Sequence, residues 1–241
     1  MERFFEVMDS CNNDKKKGEK NKKKIAVPKM IQLQNISYEY VSDIKACENV
    51  NMTFELGRIN YIVGRSGAGK TTILMILLGL YTDYQGDIYI DGKKIEQDNW
   101  ENISNGIALI SQTPFFLNTT IMENLSVVNK SKTKEEIYNV CRKIGIHEEI
   151  ILMTDQYDTV LKNNASNLST GQRQRLSIAR VLLAEPQILL CDEILSNIDQ
   201  QTRIQILNVI KEIAETKMVI FVTHQTEFIS HYDNILYMNE T

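Results

Sequence analysis

Ile59-Asn60-Tyr61-Ile62-Val63-Gly64-Arg65-Ser66-Gly67-Ala68-Gly69-Lys70-Thr71 is the stretch on which the reading of this chain turns. Its first five residues are apolar except for Asn60, the composition of a strand covered on both faces. Gly64 to Thr71 fits G-x-x-x-x-G-K-[ST], a loop whose glycines let backbone N–H groups wrap phosphates. Gly64, Ser66, Gly67, Ala68 and Gly69 would form that cradle, with Thr72 part of the same nucleotide site. Lys70 would reach the β- and γ-phosphates, and the Thr71 hydroxyl would ligate Mg²⁺. Apolar residues at helical spacing run from Lys70 to Leu80, so the unit reads as strand, phosphate loop, helix.

Downstream, Ile188-Leu189-Leu190-Cys191-Asp192-Glu193 is four apolar residues delivering two acids. In open α/β sheets ligands bind at the C-terminal ends of strands, so Asp192 is placed to hold Mg²⁺ and Glu193 to polarise an attacking water. Further strands are expected at Ile107 to Ile110, Met218 to Val222 and Ile235 to Met238. Helices are expected at Gly171 to Ala184 and Gln200 to Glu215. Strands alternating with helices imply a mainly parallel, doubly covered sheet. Before the loop, Ile31 to Tyr40 and Val50 to Leu56 alternate apolar and polar residues, an antiparallel opening, and Asp87 to Ile90 with Asp91-Gly92 predicts an edge hairpin. Ile121 to Val128, Lys134 to Ile144 and Glu148 to Met153 carry helical patterns, a separate helical lobe at about 113–170.

The chain has 241 residues, 43% of them hydrophobic, with 11 Gly, 3 Pro and 4 Cys, which is a globular composition able to bury a core without disulfides. Cys11, Cys47, Cys141 and Cys191 form no C-x-x-C pair, which argues against zinc or redox chemistry. Seven lysines crowd between Asp14 and Lys24, and residues 1–29 read as a flexible linker ahead of a domain at 30–241. The whole chain has a formal net charge of −4 and that run a local net of +5, so everything outside it carries −9, which disfavours a nucleic-acid binder. No run approaches the roughly 18 apolar residues of a membrane span, and the start lacks a secretory signal, so exposure to the cytosol is the expectation.

Leu168-Ser169-Thr170-Gly171-Gln172-Arg173-Gln174-Arg175 resembles the signature sequence of ABC-type ATPases, and it precedes Asp192 by the family's interval. Ser169 is read independently as the cap of a helix whose N-terminus is an anion site. The resemblance runs from residue 31 to about 240 and implies a P-loop NTPase core binding ATP and Mg²⁺. It implies that Gln112 is the Q-loop glutamine that touches Mg²⁺ and the membrane partner. Ser196-Asn197-Ile198-Asp199 would be the D-loop, and His224 the switch histidine beside the general base Glu193. It implies that Ser169, Gly171 and Gln172 serve a nucleotide held by a second copy, in a homodimer or a heterodimer with another such domain. Tyr40, with Tyr38 as rival, resembles the aromatic residue that stacks on adenine. Strand parity does not separate the two, and the strand-end position favours Tyr40.

Phe115 to Ile121 with Glu123-Asn124, then Tyr157-Asp158-Thr159, resemble the exporter subgroup, which implies a transmembrane partner on the same or another polypeptide at the cytoplasmic face of the cell membrane. Three departures stand out: Thr170 replaces the first signature glycine, Asn163 and Ala165 replace a Glu and a Gly common in exporters, and Ile194-Leu195 replace smaller residues. Competing readings are a small-molecule kinase, which has no reason to hold Gln112, the signature and His224 in order, and a non-hydrolysing nucleotide switch, opposed by Glu193 and His224. Soluble ABC-type ATPases of DNA repair would need a coiled-coil insertion that the span from Lys70 to Leu168 lacks. Those of translation carry two cassettes.

Overall fold

The computed structural model describes residues 26–40, 44–96, 103–196 and 198–238. The lysine-rich run, Cys11 and Asn197 lie outside them, as does nearly all of the expected linker. Two sheets are formed. Strands β1 (Met30–Tyr40), β2 (Ile44–Glu55), β4 (Gln85–Ile90) and β5 (Lys93–Lys94) make an antiparallel sheet in the order β2-β1-β4-β5. The second sheet is parallel, ordered β6-β7-β8-β3-β9, from β3 (Ile59–Val63), β6 (Ile107–Ile110), β7 (Ile188–Asp192), β8 (Met218–Thr223) and β9 (Asn234–Tyr237). Its central strands are covered on both faces: β3 and β8 are buried throughout, and β7 up to Cys191. The polar exception in β3 is satisfied where it sits. The Asn60 side chain donates to the carbonyls of Glu55 and Val219 and accepts from the Glu55 N–H.

Helix α1 (Lys70–Leu77) packs into the core shared by the two sheets, through Ile73, Leu74, Ile76 and Leu77. It stops three residues before the sequence pattern predicts. Gly79 takes the left-handed conformation at φ 73°, the Leu80 N–H donates to the Met75 carbonyl and the Gly79 N–H to that of Ile76, a closed Schellman end. Helices α2 (Ile121–Ser126), α3 (Lys134–Ile144), α4 (His147–Ile151), a 3₁₀ turn at Gln156–Asp158 and one face of α5 (Thr170–Leu183) surround an apolar core of their own, with Phe116, Ile121, Leu125, Ile137, Ile150 and Leu176 inside. Helix α6 (Gln200–Ala214) covers the other face of the parallel sheet with Ile206, Val209 and Ile210. Asp199, the end of the expected D-loop, caps it by accepting from the Thr202 N–H at 2.9 Å.

Strand β2 begins six residues earlier than the predicted Val50. The alternation breaks because Asn35 and Asn49 sit at φ 54° and 51° and the β1–β2 register shifts around Ile36 and Tyr38, so bulges erase the period of two. Asn163, Asn164 and Ala165 form three successive left-handed residues at φ 46°, 57° and 59°. Asn164 pins the turn from outside, accepting from the Phe116 N–H at 2.6 Å and donating to the Pro114 carbonyl. Ala165 therefore occupies a backbone conformation that glycine adopts freely, and its fully buried methyl group joins the helical core. The departures Ile194 and Leu195 are likewise explained by packing, both being buried in the core under α6.

Candidate functional site

Strands β3, β7 and β8 are neighbours and end level, with Val63 opposite Thr223 and Asp192 opposite Val222. Their C-terminal ends therefore bring three groups to one edge: the Gly-rich loop after β3, Asp192 and Glu193 at the end of β7, and His224 after β8. A cavity of about 380 Å³ opens there, lined by Tyr40, Ser66, Gly67, Gly69, Lys70, Thr71, Thr72, Gln112, Asp192 and Glu193, with Lys45 and Ala46 from β2. Gly64 and Ala68 shape the loop from behind. The Gly64 carbonyl accepts from Lys70 Nζ, and Ala68 is buried.

Lys70 is buried, and its Nζ donates to the carbonyls of Gly64 at 2.8 Å and Arg65 at 2.6 Å. An ammonium has three donors, so one remains for a phosphate. The Thr71 hydroxyl donates to the Asp192 carboxylate, 3.2 and 3.4 Å from its two oxygens. Gln112 Nε2 donates to Ser196 Oγ at 3.2 Å, leaving the amide oxygen as the end that can ligate. A hydroxyl, one carboxylate and an amide oxygen are the hard donors Mg²⁺ takes in nucleotide sites, where water and phosphate supply the other positions. Among the described residues no group of three or more His, Cys, Asp or Glu forms a protein-only metal cage. The residues fit Mg²⁺ held with a nucleotide.

Partial burial raises the Asp192 carboxyl above its ordinary pKa of 3.8, and the hydrogen bond from Thr71 opposes this. A raised acid binds its proton more tightly folded than unfolded. Ionised Asp192 therefore opposes folding at neutral pH, and the penalty fades as pH falls through the raised pKa toward the unfolded value. Asp192→Asn is expected to raise the melting temperature of the nucleotide-free chain at pH 7 and to leave it unchanged near pH 3.8. Thermal melts across that range check this, and a gain independent of pH would refute it.

Glu193 is a non-glycine residue at φ 47°. Its N–H donates to the Val222 carbonyl, and its own carbonyl accepts from the Ser196 hydroxyl and N–H, so the strained peptide is held from both sides. His224 Nδ1 lies 3.2 Å from Glu193 Oε1. Such outliers persist where the surroundings over-determine them, which is a mark of working sites.

The two tyrosines touch edge to face, 5.5 Å between ring centres, but differ in exposure and partners. Tyr38 is half-buried and stacks on Tyr81, 4.7 Å between ring centres, while Tyr40 is 41% exposed at the cavity and hydrogen-bonds Thr72 Oγ1 at 2.9 Å. Ser169, Gly171 and Gln172 do not line the cavity. They form the N-terminus of α5, where Ser169 and Gln172 make a reciprocal cap. The cysteines Cys47, Cys141 and Cys191 are free and buried, with Cys191 raised strongly by complete desolvation. The residues missed from sequence are Lys45 and Ala46, hidden because the bulged start of β2 carries no strand pattern.

The profile of the ABC transporter family matches residues 47–196. The chain is 32% identical over 210 residues to ABC transporter B family member 24, mitochondrial, of Arabidopsis thaliana, covering 87% of this chain and 31% of that protein. It is 34% identical over 210 residues to the iron-sulfur clusters transporter ABCB7, mitochondrial, of Danio rerio, covering 87% of this chain and 28% of that protein. Among solved structures, that of a bacterial Atm1-family ABC exporter with ATP bound superposes with a TM-score of 0.82 at 28% identity, over 89% of this chain and 38% of the other. The chain thus spans about a third of the length of these relatives.

Proposed function

Because the chain belongs to the ABC transporter family, whose domain of this type binds ATP, we propose that it is the Mg²⁺-dependent ATPase that powers export through a transmembrane domain. The observation that carries the reading is the convergence of Lys70, Thr71, Asp192, Glu193 and His224 at the ends of three adjacent parallel strands. In this reading 30–241 is the ATPase domain, 113–170 its helical lobe and 1–29 a linker. The chain works at the cytoplasmic face of a membrane. Several relatives are mitochondrial by name, and among the described residues no helix is long and apolar enough to cross a bilayer.

Lys70 and the loop N–H groups would hold the β- and γ-phosphates, and Thr71, Asp192 and Gln112 would hold Mg²⁺. When bound, Mg²⁺ neutralises charge on the phosphates. Glu193 takes the proton of the attacking water, and His224 orients the Glu193 carboxylate through the contact at 3.2 Å. Gly171 supports the pairing of two copies. A Cβ there would meet no atom of this chain within 4 Å, so this face of the first turn is open to an approach from outside. Ser169 and Gly171 of one copy would then complete the nucleotide site of the other.

Tyr40 supplies the base platform. Tyr40→Ala is expected to weaken ATP by about 1 to 3 kcal/mol, the usual size of base–aromatic stacking, whereas Tyr38→Ala loses the Tyr81 stack and lowers stability. Nucleotide titrations and melts of both variants decide it, and the opposite pattern moves the role to Tyr38. The proposed function itself is tested by Mg²⁺-dependent ATP turnover of the chain, and no nucleotide binding at all would reject it.

A further inference from the structure

Helix α5 opens with a reciprocal cap. Ser169 Oγ accepts from the Gln172 N–H at 3.2 Å, and Gln172 Oε1 accepts from the Ser169 N–H at 2.8 Å. An amide side chain can do this in one of its two orientations only, because flipping it would set a donor against the Ser169 N–H. The orientation is fixed from another element. Gln172 Nε2 donates to Glu149 Oε2 on α4 at 2.8 Å.

The second oxygen of Glu149 is used as well. Glu149 Oε1 lies 2.7 Å from Arg175 Nη1, on a side chain only 10% exposed. Arg175 also donates from Nη1 to the Gly145 carbonyl at 2.6 Å and from Nε to the Gly171 carbonyl at 3.3 Å. One carboxylate therefore governs the first turn of α5 by two routes, an amide that sets the cap and a guanidinium that ties the Gly171 peptide to the end of α3. The rest of α5 has a different anchor, since Leu176, Ile178, Ala179 and Leu183 sit in apolar cores. Loss of Glu149 thus loosens the helix start and leaves its body in place.

We infer that Glu149 is a positioning residue, which aims Ser169 and the Gly171 N–H at the terminal phosphate of an ATP held by a second copy. This rests on the paired reading above. Glu149 touches no nucleotide in that arrangement. It acts through Gln172 and Arg175, and the buried arginine balances its charge beside the helix N-terminus.

The test uses the full chain carrying Glu193→Gln as parent, so that ATP persists. Two quantities are read: the affinity for ADP, which reports the Lys70 side alone, and the ATP concentration giving half-maximal dimer by light scattering. Adding Glu149→Ala is expected to raise that ATP concentration about tenfold with ADP affinity unchanged. Gln172→Glu alone sets two carboxylates face to face and is expected to impair pairing to a similar degree. Combining Glu149→Gln with Gln172→Glu reverses the polarity of the central hydrogen bond and keeps every bond of the network, and it is expected to return pairing to within about threefold of the parent. A general loss of stability would lower ADP affinity along with pairing, whereas loss of positioning leaves ADP affinity at the parent's value.

Pairing by Glu149→Ala at the parent's ATP concentration overturns the inference, as does a swap no better than Gln172→Glu alone. The swap decides the matter even if Glu149→Ala does not fold. A parent that binds no ADP removes the nucleotide reading itself. A parent that binds ADP but does not pair with ATP removes the paired reading, and this inference falls with it.

Discussion

Glu193→Gln is expected to cut ATP turnover by about 10²- to 10⁴-fold, the usual contribution of a positioned general base, while ATP still binds. Binding is expected to be retained because the proposed phosphate and Mg²⁺ contacts belong to Lys70, Thr71 and Asp192, whose hydrogen bonds run to Gly64, Arg65 and one another and not to Glu193. The amide is isosteric with the carboxylate, and the backbone at φ 47° is held by Val222 and Ser196 through main-chain atoms that the substitution does not alter. What changes is the ability to accept a proton. Steady-state hydrolysis with a parallel nucleotide titration checks this. Hydrolysis at the wild-type rate would remove Glu193 from the mechanism and leave the water to another group.

Gly69→Ala is expected to abolish nucleotide binding and to destabilise the fold by several kcal/mol. Gly69 sits at φ 83° as the N-cap of α1, a conformation costing an alanine about 1 to 2 kcal/mol. Sterics add the larger part. A Cβ at Gly69 would drive into the carbonyl oxygen of Ala46 and press on the Cys47 side chain at 3.1 Å, and neither has a flexible end that can swing away. The loop would have to lift off β2, taking Lys70 and Thr71 with it. Gly67→Ala is the matched control. Its φ of 86° carries the same backbone penalty, but a Cβ there meets nothing within 4 Å, so only the strain remains. Thermal melts of the two nucleotide-free variants separate strain from collision, and equal losses of stability would refute the steric account.

The parts of the fold that could be read from the chain are those where local chemistry and burial agree. Ile59 to Val63 is apolar because it is covered on both faces, and the glycines after it have no alternative in so tight a turn. Asp192 and Glu193 were legible for the same reason, as acids that end a buried run. Ser169 announced a helix start through its own capping chemistry. Other features are set by contacts that sequence distance conceals. The start of β2 is masked by bulges at Asn35 and Asn49, and with it went Lys45 and Ala46 on the cavity wall. Glu149 looks like one of two adjacent acids on a short helix until α5 is laid against it. The choice between Tyr38 and Tyr40 needed Tyr81, whose ring comes from beyond α1 and covers the first of them.

Ile194 and Leu195 lead directly from the strained Glu193 peptide into the core beneath α6. The strain is therefore borne by the same packing that holds the parallel sheet together. In hydrogen-exchange language, the proposed base Glu193 is expected to open together with the core of the parallel sheet rather than by a cheap local opening of its own. The helix that carries Ser169 spans both apolar cores, but its first turn contributes no residue to either, so that turn can loosen on a faster timescale without disturbing Glu193. Binding and chemistry are thereby assigned to units of unequal rigidity within one chain, and the frequency of encounter can be tuned without touching the geometry of proton transfer.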